Sequence, residues 1–312
     1  MSKLENIAVV GAGLMGHGIA QIFAVHGHRV VLMDLQEGLL SQAIENIRSN
    51  LSLMAQKGIV AAADIEPAIQ RITATTDLKE AVSGARFVVE AVLEKLELKQ
   101  EIFQELDSLN PPDTILATNT SVISITQIAH KAKERSRIVG THFWNPPYLI
   151  PLVEVVRGDE TAAEVLEKTY ALLQRVGKHP VRVHKDVPGF VGNRLQHALW
   201  REAISIVERG IADAATVNEC IKFGFGLRLP HLGPMENIDM VGTDLTLAIH
   251  NYILKHLENS PQASPMLAEK VKKGELGFKT GRGFQTWSQA QAQQSRKELV
   301  EYLLKAIAGK DA

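Results

Sequence analysis

The run Val9-Val10-Gly11-Ala12-Gly13-Leu14-Met15-Gly16 constrains the fold of this chain more than any other segment, because it sits between an apolar β run and a helical pattern. Ile7–Val10 reads as a buried strand, and the residues from Gly16 onward read as a helix. In that setting each glycine has a task. Gly11 permits a tight turn, Gly13 lets the backbone approach a pyrophosphate, and Gly16 allows close helix–strand packing. The free N–H groups of the helix start then face the anion. Leu14 and Met15 lie in the same turn and join the cofactor-binding set. Asp34 closes the next β run, 23 residues after Gly11, where a carboxylate accepts hydrogen bonds from the adenosine ribose hydroxyls. It would repel a 2′-phosphate, and Leu35-Gln36-Glu37 supplies no arginine to hold one, so the pattern predicts NAD over NADP. FAD shares the glycine pattern. A structural turn beside an ordinary surface aspartate is the plain alternative. His17 lies either by the phosphates or on a solvent-facing helix side, and no role is assigned to it.

Strand patterns alternate with helical ones through the first part of the chain, up to His184. The strands are Ile7–Val10, Arg29–Asp34, Arg71–Thr75, Arg86–Ala91, Thr114–Asn119, Arg137–Phe143, Leu152–Val156 and Val181–His184, rich in Val, Ile or Thr. That alternation predicts a parallel sheet with helices on both faces. Between strands, Lys95–Leu109 is the clearest helix, with Leu96, Phe103 and Leu106 on one face and Pro111-Pro112 as its stop. After Asp186-Val187-Pro188-Gly189 the texture changes to helices alone. The first carries a stripe of Leu195, Leu199, Ala203 and Ile206 and stops at Gly210; others run from Val241 to His256 and from Arg296 to Ile307, with Gly274–Gly283 as a glycine-rich connection. The fold class is therefore α/β: a Rossmann-type doubly wound sheet over residues 1–187, followed by a smaller all-α domain over residues 188–312. The apolar stripes of that helical part predict packing against a second copy.

A net charge of −1, spread along 312 residues, gives no electrostatic footprint for nucleic acid or an anionic membrane, so the expected partner is a small molecule. The single cysteine, Cys220, forms no internal disulfide, and no Cys/His pairs stand at zinc spacing; no metal and a cytoplasmic location are expected. Ile7–Val10 is too short for a signal peptide or membrane span.

Two polar residues interrupt apolar β runs. His142 ends a strand in Gly140-Thr141-His142-Phe143-Trp144-Asn145-Pro146-Pro147, and Glu154 follows 12 residues later in Pro151-Leu152-Val153-Glu154-Val155-Val156. A buried glutamate needs a partner. If the proline loop returns the chain beside its predecessor, Glu154 fixes the imidazole's tautomer and orientation, and the pair makes a general base for an alcohol proton. The alternative is a satisfied core histidine. Asn119-Thr120-Ser121 and Asn193 fall where the carboxyl edge of such a sheet opens into a cleft, and each could touch substrate. Ser121 as a helix N-cap and Asn193 as a packing amide are the competing readings.

Taken together, Gly11–Gly16, Asn119-Thr120-Ser121, His142 with Asn145-Pro146, Glu154, Pro188-Gly189-Phe190 and Asn193-Arg194 resemble the 3-hydroxyacyl-CoA dehydrogenase superfamily. The likeness extends to Gly277-Phe278-Lys279-Thr280-Gly281-Arg282-Gly283-Phe284, similar to the glycine-rich signature that closes the family's C-terminal domain. It implies His142 as catalytic base, Glu154 as its orienting partner, Ser121 bonded to the reacting oxygen and Asn193 stabilising substrate or developing charge. It further implies Asn119 among the cofactor-binding residues, Glu94 and Lys99 against the nicotinamide half of NAD, and a homodimer formed through the helical domain. By that mechanism His142 takes the hydroxyl proton while hydride leaves the same carbon for nicotinamide, giving a ketone.

Two features set the chain apart from acyl-CoA users. Asn46–Ala63 carries only Arg48 and Lys57, where those enzymes commonly have a lysine-rich stretch. Gly224-Phe225-Gly226-Leu227-Arg228 and Asn145-Pro146-Pro147-Tyr148 resemble the branch handling free acids, which includes lambda-crystallin or gulonate dehydrogenase, carnitine dehydrogenase and a pyridine-carboxylate dehydrogenase. Asn145 and Arg228 are the candidate substrate residues, with a surface or interface ion pair as the alternative for Arg228. The expected substrate is a small 3-hydroxy acid or related carboxylate, with an acyl-CoA thioester second. The lysine-dependent 3-hydroxyisobutyrate and phosphogluconate dehydrogenases place a lysine four residues before the asparagine, where this chain has Gly189. A non-catalytic NAD-binding protein is the reading from another class.

Overall fold

In the computed structural model, which describes residues 5–309, the strands are β1 (Asn6–Val10), β2 (Arg29–Met33), β3 (Ile72–Thr75), β4 (Phe87–Glu90), β5 (Ile115–Thr118), β6 (Ile138–Phe143), β7 (Leu152–Val156) and β8 (His179–Val183). Among the described residues they form one sheet in the order β3-β2-β1-β4-β5-β6-β7-β8. Strands buried on both faces read as continuous apolar runs, which is why β4 and β5 are apolar almost throughout. Alternate side chains serve opposite cores. Ile7 and Val9 pack toward helices Gly16–Val25, Glu37–Gln56 and Ala163–Arg175. Ala8 and Val10 pack toward Leu78–Val82, Leu96–Leu109 and Ile125–Ile128. The result is a doubly wound sheet whose order reverses between β1 and β4, the switch point where such folds bind ligands.

The sheet is not wholly parallel. β6 and β7 run antiparallel, whereas the other neighbouring pairs are parallel. The segment joining them, residues 144–151, is too short for the crossover a parallel return needs, which takes a dozen residues or more. Lys178 secures this return: its Nζ donates to the carbonyl of Ile150 at 3.0 Å and also to that of Pro147. Burial pushes the Lys178 ammonium from the usual 10.5 down to about 8. Below pH 8 folded and unfolded chains both carry the proton; between about 8 and 10.5 only the unfolded chain does, so this group makes stability rise with pH across that window. The rise is on the order of 3 kcal/mol. Thermal melts of Lys178→Met should show that rise reduced between pH 7.5 and 10; an unaltered rise would assign it to other groups.

The chain divides into two compact units, one of residues up to Arg194 together with those from Val300, the other Leu195–Leu299. The division falls inside helix Gly192–Glu208, and the final helix, Gln289–Ala308, is longer than the expected Arg296–Ile307. In the second unit the expected single helix Val241–His256 is two, Pro234–Val241 and Thr243–Ile253, because Gly242 between them takes φ of 105°. This unit buries almost nothing by itself. Within Leu195–Leu299, all described, only Ser205 and Ala292 are buried, while Phe223 is 77% and Tyr252 70% exposed. Of the expected stripe, Leu195 and Leu199 are exposed, whereas Ala203 and Ile206 are half-buried. Among the described residues no helix is long and apolar enough to cross a membrane.

Candidate active site

The antiparallel β6–β7 pairing sets His142 directly opposite Glu154. His142 Nδ1 lies 2.8 Å from Glu154 Oε2, and both side chains are buried. The other carboxylate oxygen, Oε1, accepts the backbone N–H groups of Val191 and Gly192, each at 2.9 Å. Those amides are turned inward by Gly189 and Phe190, which have φ of 76° and 49°. Burial alone would raise the Glu154 carboxyl, but His142 and the two amides outweigh it and hold the group below the usual carboxylate range. The rings of Trp144 and Phe190 flank the imidazole, with centroids 5.2 and 5.8 Å away. With Nδ1–H donating to Glu154, the tautomer leaves a lone pair on Nε2. Such a group can accept a proton.

Beside it, the end of β5 is tied in by side chains. Asn119 Oδ1 accepts the amide of Phe143 at 2.9 Å, and Asn193 Nδ2 donates to the Ser121 carbonyl at 2.9 Å. Ser121 caps no helix; Ser124 does so for Ile125–Ile128. Glu94 Oε1 receives the Thr120 hydroxyl and the Ser121 amide, at 2.6 and 2.8 Å. Burial would raise the Glu94 carboxyl as well, but Thr120, Lys99 and the Ser121 amide keep it low. Lys99 is 1% exposed and contacts Glu94 at 3.2 Å and the fully buried Glu90 at 2.7 Å. Asn145 is exposed on the loop after β6. Arg228 belongs to the second unit, is exposed, and makes no ion pair among the described residues.

The glycine loop fits a dinucleotide. A Cβ on Gly16 would stand 1.7 Å from the Gly11 carbonyl oxygen, and one on Gly11 2.6 Å from that of Ala91. Gly13, in contrast, has nothing within 4 Å, an open face for a pyrophosphate. Asp34 Oδ2 accepts the Ala12 amide at 2.9 Å, which fixes the carboxylate beside the loop. Leu14 is 67% exposed, Met15 packs on the core, and His17 turns inward to the Gly13 carbonyl. Bound here, NAD supplies a hydride acceptor.

Several residues of this region were given no role in the sequence: Glu90, Trp144, Phe190 and the amides of Val191 and Gly192. The signal for Glu90 was present. Phe87-Val88-Val89-Glu90 is an apolar run broken by a carboxylate, the pattern that singled out Glu154.

Residues 6–187 match the model of the 3-hydroxyacyl-CoA dehydrogenase NAD binding domain, and residues 189–287 that of the same family's C-terminal domain. The chain belongs to the 3-hydroxyacyl-CoA dehydrogenase family. As a member it is an NAD-dependent dehydrogenase with a small-molecule substrate. Among its relatives is the 5-formyl-3-hydroxy-2-methylpyridine 4-carboxylate 5-dehydrogenase of Mesorhizobium japonicum, 36% identical over 303 residues that cover 96% of each chain. A crystal structure of an enzyme of that name, described as an NAD+ dependent dismutase, superposes with a TM-score of 0.91 at 33% identity, covering 97% of each chain. The mitochondrial hydroxyacyl-coenzyme A dehydrogenase of Rattus norvegicus is 38% identical over 90% of each chain. In this dehydrogenase, Asp34→Ala is expected to shrink the NAD-over-NADP ratio of kcat/KM by ~10–100-fold, the worth of one or two charge-assisted hydrogen bonds. Unchanged discrimination would relieve Asp34 of that role.

Proposed function

We propose that this dehydrogenase oxidises the 3-hydroxyl of a small 3-hydroxy acid or related carboxylate to the ketone, with His142 as the base. The observation that carries this reading is the 2.8 Å bond between His142 and a glutamate already engaged by two backbone amides. His142 Nε2 takes the hydroxyl proton, and Glu154 holds the ring and stabilises the imidazolium that forms. The Ser121 hydroxyl, which has no partner among the described residues, donates to the reacting oxygen. Asn193 stabilises developing charge, and Asn145 meets the substrate. Gly11 to Gly16, Asp34, Asn119 and Glu94 serve the cofactor.

A free acid is favoured because the segment that should grip CoA phosphates offers little charge. Arg48 is ion-paired with Glu66, which leaves Lys57. The Mesorhizobium relative named for a pyridine carboxylate supports the same choice. An L-3-hydroxyacyl-CoA substrate is the second reading, favoured by the identity with the rat enzyme. The test is NADH formation with 3-hydroxybutyryl-CoA beside 3-hydroxybutyrate, L-gulonate and L-carnitine. Higher kcat/KM for a free acid is expected; thioester preference would overturn the substrate class and leave the base intact.

Residues 188–312 are assigned to substrate binding and homodimerisation. A 105-residue unit with two buried residues and exposed Phe223, Leu245, Leu247 and Tyr252 has too little core to stand without a partner surface. Sedimentation is expected to give a dimer at micromolar protein; a monomer would refute the assignment.

A further inference from the structure

Lys99 lies on the inward face of helix Leu96–Leu109 with Phe103 and Leu106, at spacings of four and seven residues. An apolar residue would fill such a place at lower cost, since an ammonium ion loses its water there. Its Nζ stands between Glu90 Oε1 at 2.7 Å and Glu94 Oε2 at 3.2 Å. The contacts close into a ring. Glu90 Oε2 accepts the Thr118 hydroxyl at 2.7 Å, Thr118 Oγ1 accepts the Thr120 amide at 3.2 Å, and the Thr120 hydroxyl donates to Glu94 Oε1 at 2.6 Å. That same Glu94 oxygen accepts the amides of Ser121 and Val122, at 2.8 and 3.3 Å. Glu90 Oε1 also accepts the Val92 amide at 2.8 Å, so every member is held by at least two others.

We propose that Glu90, Lys99 and Glu94 form a brace that fixes the Thr120–Val122 turn, with Lys99 acting on the site through Glu94 and not by touching the cofactor. The resemblance of the chain to its family places Lys99 against the nicotinamide half of NAD, yet 1% exposure leaves its ammonium no open side from which to do so. What the ring presents to the site is Ser121, whose amide it holds. Glu90 and Lys99 are accordingly positioning residues. The consequence for turnover rests on the role proposed for Ser121; the brace itself does not.

The test uses the full-length protein carrying Lys99→Met, and Glu90→Gln with Lys99→Met so that no carboxylate is left buried without its cation. Amide hydrogen exchange over residues 118–124 is measured without NAD, and NAD affinity is measured by calorimetry. The brace predicts that protection of the Ser121 and Val122 amides falls about tenfold or more in both variants. The kcat on the best substrate should fall about tenfold or more, and NAD Kd should rise only together with the loss of protection, because Glu94 also serves the cofactor. A Kd raised about tenfold with protection retained would make Lys99 a cofactor contact and overturn the proposal. A lower Tm with protection, Kd and kcat unchanged would reduce the ring to packing and overturn it equally. If the wild-type protein turns over none of the panel, the proposed function fails while the exchange result still decides the brace.

Discussion

His142→Ala is expected to lower kcat by ~10²–10⁴, the usual worth of a positioned general base. NAD affinity should be unchanged, because the glycine loop and Asp34 follow β1 and β2 and have no bond to the imidazole. Initial rates of NADH formation and a calorimetric NAD titration check both halves. A variant retaining more than about a tenth of wild-type kcat would remove His142 from the chemistry.

Glu154→Gln is expected to cost ~10³–10⁴ in kcat while leaving the fold in place, as when the carboxylate of a catalytic triad becomes an amide. The physical cause is the tautomer. A glutamine can still accept the Val191 and Gly192 amides through its oxygen, which aims its NH2 at His142 Nδ1. The ring proton must then move to Nε2, where the lone pair was needed. The double variant with His142→Ala should be scarcely worse than either single one, because the two residues act as a unit. Independent, additive losses would mean that Glu154 does not work through His142. Acid stability offers a second check. The Glu154 carboxyl is held below its ordinary range, so its stabilising contribution is complete above the unfolded value of about 4.3 and fades as pH falls through the folded one. In the glutamine variant that component of acid unfolding should vanish from the melting curve.

The cofactor loop was legible in the sequence because its constraint is local: a turn, a close approach and a helix start lie within the eight residues Val9–Gly16. The inner strands were legible for a similar reason, since burial on both faces leaves mostly apolar runs. The direction of β7 entered the sequence reading only as a condition, that the proline loop returns the chain beside its predecessor, although the eight residues between the predicted strands are already too few for a parallel crossover. The break at Gly242 was not legible, because a helical pattern continues across a glycine whose backbone leaves the helix. Nor could periodicity tell which part of the stripe of Leu195, Leu199, Ala203 and Ile206 is packed: the first two are exposed and the last two half-buried.

Residue types and their order along the chain thus determined by themselves the Rossmann-type sheet, the NAD loop and the presence of one histidine and one glutamate in apolar strands. Only the tertiary structure decided that these two meet at 2.8 Å, that Val191 and Gly192 complete the shell of Glu154, and that Lys99 is enclosed between two carboxylates. Hydrophobic patterning acts between near neighbours in the chain, whereas a hydrogen bond between residues 12 or 37 positions apart exists only after strand direction and register have been chosen.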